Sequence, residues 1–173
     1  YTTRSEGMAP EEIIAFLNRY FEQVVRLIHA HGGSVVCFMG DGIMAVFGAP
    51  KPLENPCREA FQAARSMSHY VAALNEQLRA EGEAPMEIGI GLHAGEAVIG
   101  HVGSSTRHDY TAIGDVTNVA SRVEGLTKEA GYRIVVSRIV AERVGDEEGL
   151  KPLGPMAIKG HTPVEVFGHD KIS

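Results

Sequence analysis

Tryptophan is absent from this 173-residue chain, and cysteine occurs only twice, as Cys37 and Cys57. Two cysteines without paired metal-ligand spacing support neither a disulfide framework nor a zinc knuckle. A reducing, cytoplasmic setting is the expectation, with membrane anchorage of a longer parent protein left open. No apolar run reaches the roughly 18 residues that a membrane span needs, and no secretory leader opens the chain. This domain is therefore expected to make no membrane contact. Basic residues are outnumbered: 16 Lys and Arg against 22 Asp and Glu give a net charge of −6. A chain this acidic is a poor match for broad phosphate neutralisation, so no nucleic acid partner is expected. A local basic pocket for a small anion stays open. Repeats, low-complexity stretches and linkers are missing as well. With 44% hydrophobic residues the chain can bury a core, and residues 1–173 read as one domain.

What is present is strongly patterned. Ile13, Phe16, Leu17, Tyr20, Phe21, Val24, Leu27 and Ile28 recur at helical spacing, predicting a helix from about Pro10 to Ala30 that ends at Gly32-Gly33. Two short apolar runs, Ser34–Phe38 and Ile43–Phe47, flank Gly40-Asp41-Gly42 and read as a β-hairpin with a carboxylate at its tip. Asn55-Pro56 reads as an N-cap followed by a first-turn proline. The helix it opens runs to about Gly82, on a stripe of Ala60, Phe61, Ala64, Met67, Val71, Leu74 and Leu78. Met86, Ile88, Ile90 and Leu92 alternate as in a half-buried strand, with Glu96–Val102 as its expected neighbour and Gly103–His108 as a polar loop. Thr117–Ala130 reads as a helix closed by Gly131. Ile134–Val136 is a short strand, with Ser137 capping a short helix. Leu150–Ile158 and Val164–Phe167 form a last strand pair around Lys159-Gly160-His161. The order predicts an α+β or α/β arrangement in which helices cover one sheet.

Few side chains in this pattern carry chemistry by themselves. Asp41, between two glycines, suits a hard-oxygen ligand for Mg²⁺, yet Asp-Gly is also a common hairpin turn. Asn118 and Arg122 are four apart on one helix face. An amide beside a guanidinium can hold a ribose oxygen and a phosphoryl oxygen, or the two are a solvated surface pair. Lys159 is either a phosphate lysine or an ordinary turn lysine. Gly89-Ile-Gly91-Leu-His-Ala94 fits a loose dinucleotide fingerprint but falls inside a period-two strand pattern, so that reading is rejected. His93 is either a ligand or a satisfied core histidine. No G-x-S-x-G elbow or P-loop is present.

Taken together, several segments resemble the catalytic domain of class III nucleotide cyclases of bacterial type. They are Tyr1-Thr-Thr-Arg-Ser-Glu-Gly7, Phe38-Met-Gly-Asp41-Gly-Ile-Met-Ala-Val-Phe-Gly48, Gly89 to Gly100, Asp109-Tyr-Thr-Ala-Ile-Gly-Asp-Val-Thr-Asn118-Val-Ala-Ser-Arg122, and Met156-Ala-Ile-Lys159-Gly160. The resemblance implies a ferredoxin-like βαββαβ core with one mixed, mostly antiparallel sheet. It implies a head-to-tail homodimer with shared sites, where the ribose 3′-oxygen of ATP attacks the α-phosphate and pyrophosphate leaves. Two Mg²⁺ or Mn²⁺ ions per site are expected, with Asp41 as a metal ligand. Asn118 and Arg122 are the expected catalytic pair. Cys37 and Thr111 are expected to read the purine, Lys159 to hold phosphate, and Tyr1 and Thr2 to end a phosphate-binding loop. A sensor or regulatory region of the parent protein is a further expected partner.

Three positions depart from the family pattern. The strand carrying the other metal aspartate is expected just before Tyr1, which makes the domain N-terminally incomplete. Cys37 stands where adenylyl cyclases usually carry lysine and guanylyl cyclases glutamate, whereas Thr111 fits bacterial adenylyl cyclases. Glu96 stands where some members carry an arginine for the triphosphate. Guanylyl or relaxed specificity, and a degenerate domain with a regulatory nucleotide-binding role, are the alternatives to an adenylyl cyclase.

Overall fold

The apolar stripe from Ile13 to Ile28 folds as α1 (Pro10–Ala30), with Phe16, Tyr20, Val24 and Ile28 as its buried ridge. The structure is a computed structural model that describes residues 7–145 and 148–172; Tyr1 and Thr2 lie outside the described residues. β1 (Gly33–Met39) and β2 (Gly42–Phe47) form the expected antiparallel hairpin, with Gly40 and Asp41 as its two-residue turn. α2 (Pro56–Ala80) starts at Asn55, whose Oδ1 accepts from the Arg58 N–H at 3.1 Å. The same amide donates through Nδ2 to the Arg143 carbonyl at 2.9 Å, tying this cap to a distant helix.

The strand expected over 86–92 is mostly unpaired. Met86 is buried and Ile88, Ile90 and Leu92 are half-buried, so the alternation is real, but only β3 (Ile90–Leu92) enters a ladder. The upstream part is held instead by Asn75. Its Nδ2 donates to the Met86 carbonyl at 2.8 Å and its Oδ1 accepts from the Met86 N–H at 2.6 Å. One buried amide thus does for Met86 what a neighbouring strand would do.

β4 (Val98–Gly103) corrects a second expectation. It pairs antiparallel with β5 (His108–Ile113), not with the strand before it. The loop between them closes tightly, with Ser104 N–H donating to the Arg107 carbonyl at 2.8 Å, and such a local hairpin costs little loop-closure entropy. The helix expected over 117–130 is two helices, α3 (Asp115–Gly125) and α4 (Thr127–Ala130). The Thr127 hydroxyl donates back to the Glu124 carbonyl at 2.8 Å across that break. β6 (Tyr132–Ser137), α5 (Arg138–Val144), β7 (Lys151–Met156) and β8 (Val164–Lys171) complete the order. Ser137 sits at the N-cap of α5 but makes no capping bond, because its hydroxyl is engaged by His93.

The α+β class and its mixed, mostly antiparallel sheet stand: β3 runs parallel to β6, while β6–β8 and β8–β7 are antiparallel. The ladders form three sets, β1–β2, β3–β6–β8–β7 and β4–β5, instead of one continuous sheet, since among the described residues no strand joins β3 to the hairpin. Ile134, Val135 and Val136 of β6 have no exposed surface. Ile134 and Val136 pack with Phe61 and Ala64 of α2 and Val140 and Val144 of α5, while Val135 packs with Val119 and Val123 of α3. Helices therefore cover the sheet on both faces.

Replacing Asn75 with alanine leaves the Met86 N–H and C=O buried without partners. The expected loss is about 1–3 kcal/mol of unfolding free energy, read as a lower denaturant midpoint; an unchanged midpoint would show that water replaces the amide.

Candidate active site

α3 rests directly on the sheet. A Cβ at Gly91 would collide with the backbone of Glu124, and one at Gly89 would collide with the Thr127 side chain. The two glycines of the rejected dinucleotide fingerprint are thus packing positions that let a helix approach a strand closely. This fixes the outer face of α3, where Asn118 and Arg122 stand exposed one turn apart.

The turn after β7 brings a third expected residue to the same place. Asn118, Ser121 and Arg122 of α3, Lys159 and His161 of the turn, and Asp115 wall a hollow of about 350 Å³. An acidic chain has gathered a guanidinium and an ammonium around one small cavity, a geometry suited to a polyphosphate anion. Sequence reasoning did not single out Ser121, Asp115 or His161. The only available signal was position, since Asp115 opens the helix and His161 follows Lys159 by two residues.

Asp41 does not line that hollow. It lies instead within electrostatic reach of Tyr20 and Glu124. Burial is the main force pushing the Tyr20 phenol up to about 12, with Tyr70 and Asp41 adding to it. Burial likewise pushes the Glu124 carboxyl up, opposed by Lys128 and assisted by Asp41. Glu124 comes two residues after Arg122, roughly 200° around the helix. The turn carboxylate is thus coupled to Glu124 and lies outside the hollow that Arg122 lines.

Cys37 is exposed, and a β-bulge explains why. Val35 pairs with Ala45, but Cys37 pairs with Met44, so Val36 is an extra residue. Strict alternation would put Cys37 on the face of Val35, Ile43 and Ala45, which packs on the core. The bulge turns it to the other face. Thr111 is half-buried on β5, opposite Gly100, and β5 lies against β1. Glu96 is exposed and lies outside the hollow. Among the described residues, no group of three or more His, Cys, Asp or Glu side chains gathers to hold a metal. No helix there is long and apolar enough to cross a membrane.

His93 has the partner that the core-histidine alternative calls for. Its Nδ1 lies 2.8 Å from the Ser137 hydroxyl. Burial is the main influence and lowers its pKa from 6.5, with Asp115 opposing and His161 adding.

The α+β fold thus carries a hollow lined by Arg122 and Lys159, with the turn carboxylate Asp41 outside it. The sequence profile of the adenylate and guanylate cyclase catalytic domain matches residues 1–169. The chain belongs to that family. It is 36% identical over 168 residues to adenylate cyclase 1 of Rhizobium meliloti (strain 1021), covering 96% of this chain and 25% of that protein. It is 38% identical over 152 residues to an adenylate cyclase of Anabaena cylindrica, covering 86% of this chain and 29% of that protein. The chain thus spans about a quarter of the length of these curated relatives. Among solved structures, the adenylyl cyclase CyaB from P. aeruginosa superposes with a TM-score of 0.87 at 30% identity, covering 96% of this chain and 86% of that one. The guanylyl cyclase Cya2 gives 0.85 at 34% identity, covering 99% and 87%.

The depressed His93 pKa has a sign. The unfolded chain binds a proton near pH 6.5 while the folded chain does not, so stability is full above that pH and falls as the pH drops through and below it. His169, also lowered mainly by burial, acts in the same direction. Thermal unfolding should give a Tm that declines between pH 7 and pH 5, with a shallower decline for His93→Gln. An identical slope in that variant would mean that His93 charges freely in the folded state.

Proposed function

We propose that this chain is the catalytic unit of an adenylyl cyclase, converting ATP to 3′,5′-cyclic AMP and pyrophosphate at sites shared between two copies. The observation that carries this reading is the convergence of Asn118, Arg122 and Lys159 on one hollow that excludes Asp41. The ribose 3′-hydroxyl gives its proton to solvent and its oxygen bonds to the α-phosphorus as the bond from that phosphorus to the oxygen bridging to the β-phosphate breaks, releasing pyrophosphate. Asn118 holds the ribose so that this displacement is in line. Arg122 neutralises charge growing on the transferring phosphoryl group, and Lys159 binds the departing pyrophosphate.

Asp41 suits one hard-oxygen ligand of Mg²⁺ or Mn²⁺, an exposed carboxylate on a tight turn. Such ions take one or two protein carboxylates and fill the remaining positions with water and substrate phosphates. When bound, the metal would acidify the 3′-hydroxyl and offset triphosphate charge. The expected second ion and the phosphate loop of Tyr1 and Thr2 belong to the same reading.

The absence of Asp41 from the hollow supports a homodimer, because a two-fold pair could set the Asp41 of one copy against the Arg122 of the other. Exposed apolar side chains flank the purine positions: Phe38 and Met39 on β1, Val98 and Val102 on β4, Ile113 on β5. A second copy would cover them. Since the relatives are several times longer than this chain, a sensor or regulatory region in the same polypeptide completes the proposal.

Thr111 and the names of the adenylate cyclase relatives favour ATP, while Cys37 favours weak discrimination. A thiol is a poor donor, so a wrong base leaves little unpaired. The ATP preference over GTP should be about tenfold or less, the scale of one weak hydrogen bond. Cys37→Lys should raise it. Comparison of kcat/KM for both nucleotides decides this. Sharp ATP selectivity that lysine leaves unmoved would remove Cys37 from the base site.

Arg122→Ala should lower kcat by about 10²–10³-fold, and Asp41→Ala should abolish turnover. Mixing the two inactive chains should restore activity, because one hybrid site then carries both residues. A mixture that stays inactive despite subunit exchange would sink the shared-site model. Nucleotide binding without any product would move the reading to a regulatory domain.

A further inference from the structure

The turn between β7 and β8 carries Lys159 and His161 across a left-handed Gly160 with φ +75°. His161 does not simply project into solvent. Its Nε2 lies 3.5 Å from Oδ2 of Asp115, the first residue of α3. Its Nδ1 lies 2.9 Å from the carbonyl oxygen of Thr162 and 3.3 Å from the Thr162 hydroxyl. A carbonyl oxygen only accepts, so the closer contact requires a proton on Nδ1. An ionised carboxylate also only accepts, so Nε2 meets Asp115 well only when it too carries a proton. Both ring nitrogens therefore face oxygen atoms of neighbouring residues.

Asp115 is free to make this contact. The N-cap of α3 is Gly114, which has no side chain, and the Thr117 hydroxyl serves that turn by donating to the Gly114 carbonyl at 2.8 Å. Asp115 instead reaches sideways to the turn. Other charged or titratable groups around His161 are Arg122 and Lys159 in the site hollow, and His93, Arg138, Glu142 and Glu165 in the hollow of about 550 Å³ behind it. Arg138 is already matched by Glu142 and Glu165, each at 2.9 Å. Asp115 is the carboxylate left to pair with His161. With Val119, His161 forms the wall between the two hollows.

We infer that His161 is a positioning residue whose pair with Asp115 clasps the Lys159 turn onto the helix that carries Asn118 and Arg122. The inference rests on the nucleotide reading above and deepens it. The Lys159 ammonium and the Arg122 guanidinium belong to separate elements, and this contact and the packing of Val119 near Ile158 join those elements across the hollow. Holding the turn down presets their separation before a triphosphate arrives, which lowers the ordering cost of binding. Both partners are partly exposed, at 37% for His161 and 75% for Asp115, so the clasp is screened and modest in strength.

The test uses the full chain with His161→Asn, Asp115→Asn and the double variant, with MgATP as the probe. Each single change should raise KM by about two- to fivefold, the range of an exposed ion pair, and leave kcat within about twofold. The double variant should be no worse than either single one, because both remove the same contact. Combining Asp115→His with His161→Asp should recover part of the loss. Without nucleotide, amide hydrogen exchange over residues 157–163 should quicken in each single variant. Unchanged exchange, or KM effects that add in the double variant, overturns the clasp. A wild-type chain that neither binds MgATP nor makes product removes the nucleotide reading and the positioning role with it, while the exchange result still decides the clasp.

Discussion

Between β3 and α3 there is no room for a side chain at Gly91, since the backbone of Glu124 occupies the place a Cβ would take. This contact sets the height of α3 above the sheet. Val119 and Val123 then meet Val135 on one face of β6, and the opposite face of α3 is left to solvent. Asn118 and Arg122 have no choice about where they point, because their helix is pinned through Glu124 and its core valines. A larger residue at position 91 would lift the helix and misplace the site together with the core. Overpacking of this kind typically costs about 1–3 kcal/mol.

The same helix organises the electrostatics. A net charge of −6 makes the surface as a whole repel a triphosphate. What opposes this is local: Arg122 on α3 and Lys159 on the β7–β8 turn are brought to one small hollow, where opposite charge at short range outweighs distant charge screened by salt. Asp41 does not line that hollow and acts electrostatically on Glu124 instead. Had the turn carboxylate stood beside Arg122, the two would pair and cancel within a single chain. On the proposed reading, separation keeps the cationic wall free for an anion and the carboxylate free for a metal.

The parts of the fold most legible in the sequence were those written in long periodic stretches. The stripes of α1 and α2, the Asn55 cap and the hairpin around Asp41 all follow from local spacing and turn chemistry. What stayed hidden depends on partners. Met86 and Ile88 alternate like strand residues, but a ladder needs a neighbour, and Asn75 supplies the hydrogen bonds instead. Glu96–Val102 has strand character without any local mark of which strand it joins. The strand that carries Cys37 follows from local spacing, while the facing of Cys37 turns on Val36, an extra residue that no pattern of apolar positions announces. Asn118, Arg122 and Lys159 are weak signals singly. Their meaning comes from convergence across two elements, visible from sequence only through the family resemblance.

The bulge at Val36 carries one more consequence for selectivity. A side chain exposed in the single chain reads a base well only after water has been removed from around it, because hydrogen bonds discriminate through the cost of leaving buried groups unpaired. Cys37 lies on an open face of β1, with exposed Met39 two residues on and on the same side. On the shared-site reading, the water is removed by the second copy. The purine position is then desolvated by dimerisation, and the selectivity of Cys37 and Thr111 becomes a property of the interface as much as of the residues. Loosening the apolar contacts of Val98, Val102 or Ile113 would let water reach the base edge, and nucleotide preference would weaken along with assembly. On that reading, base selection and subunit pairing are coupled through Val36, the extra residue in β1.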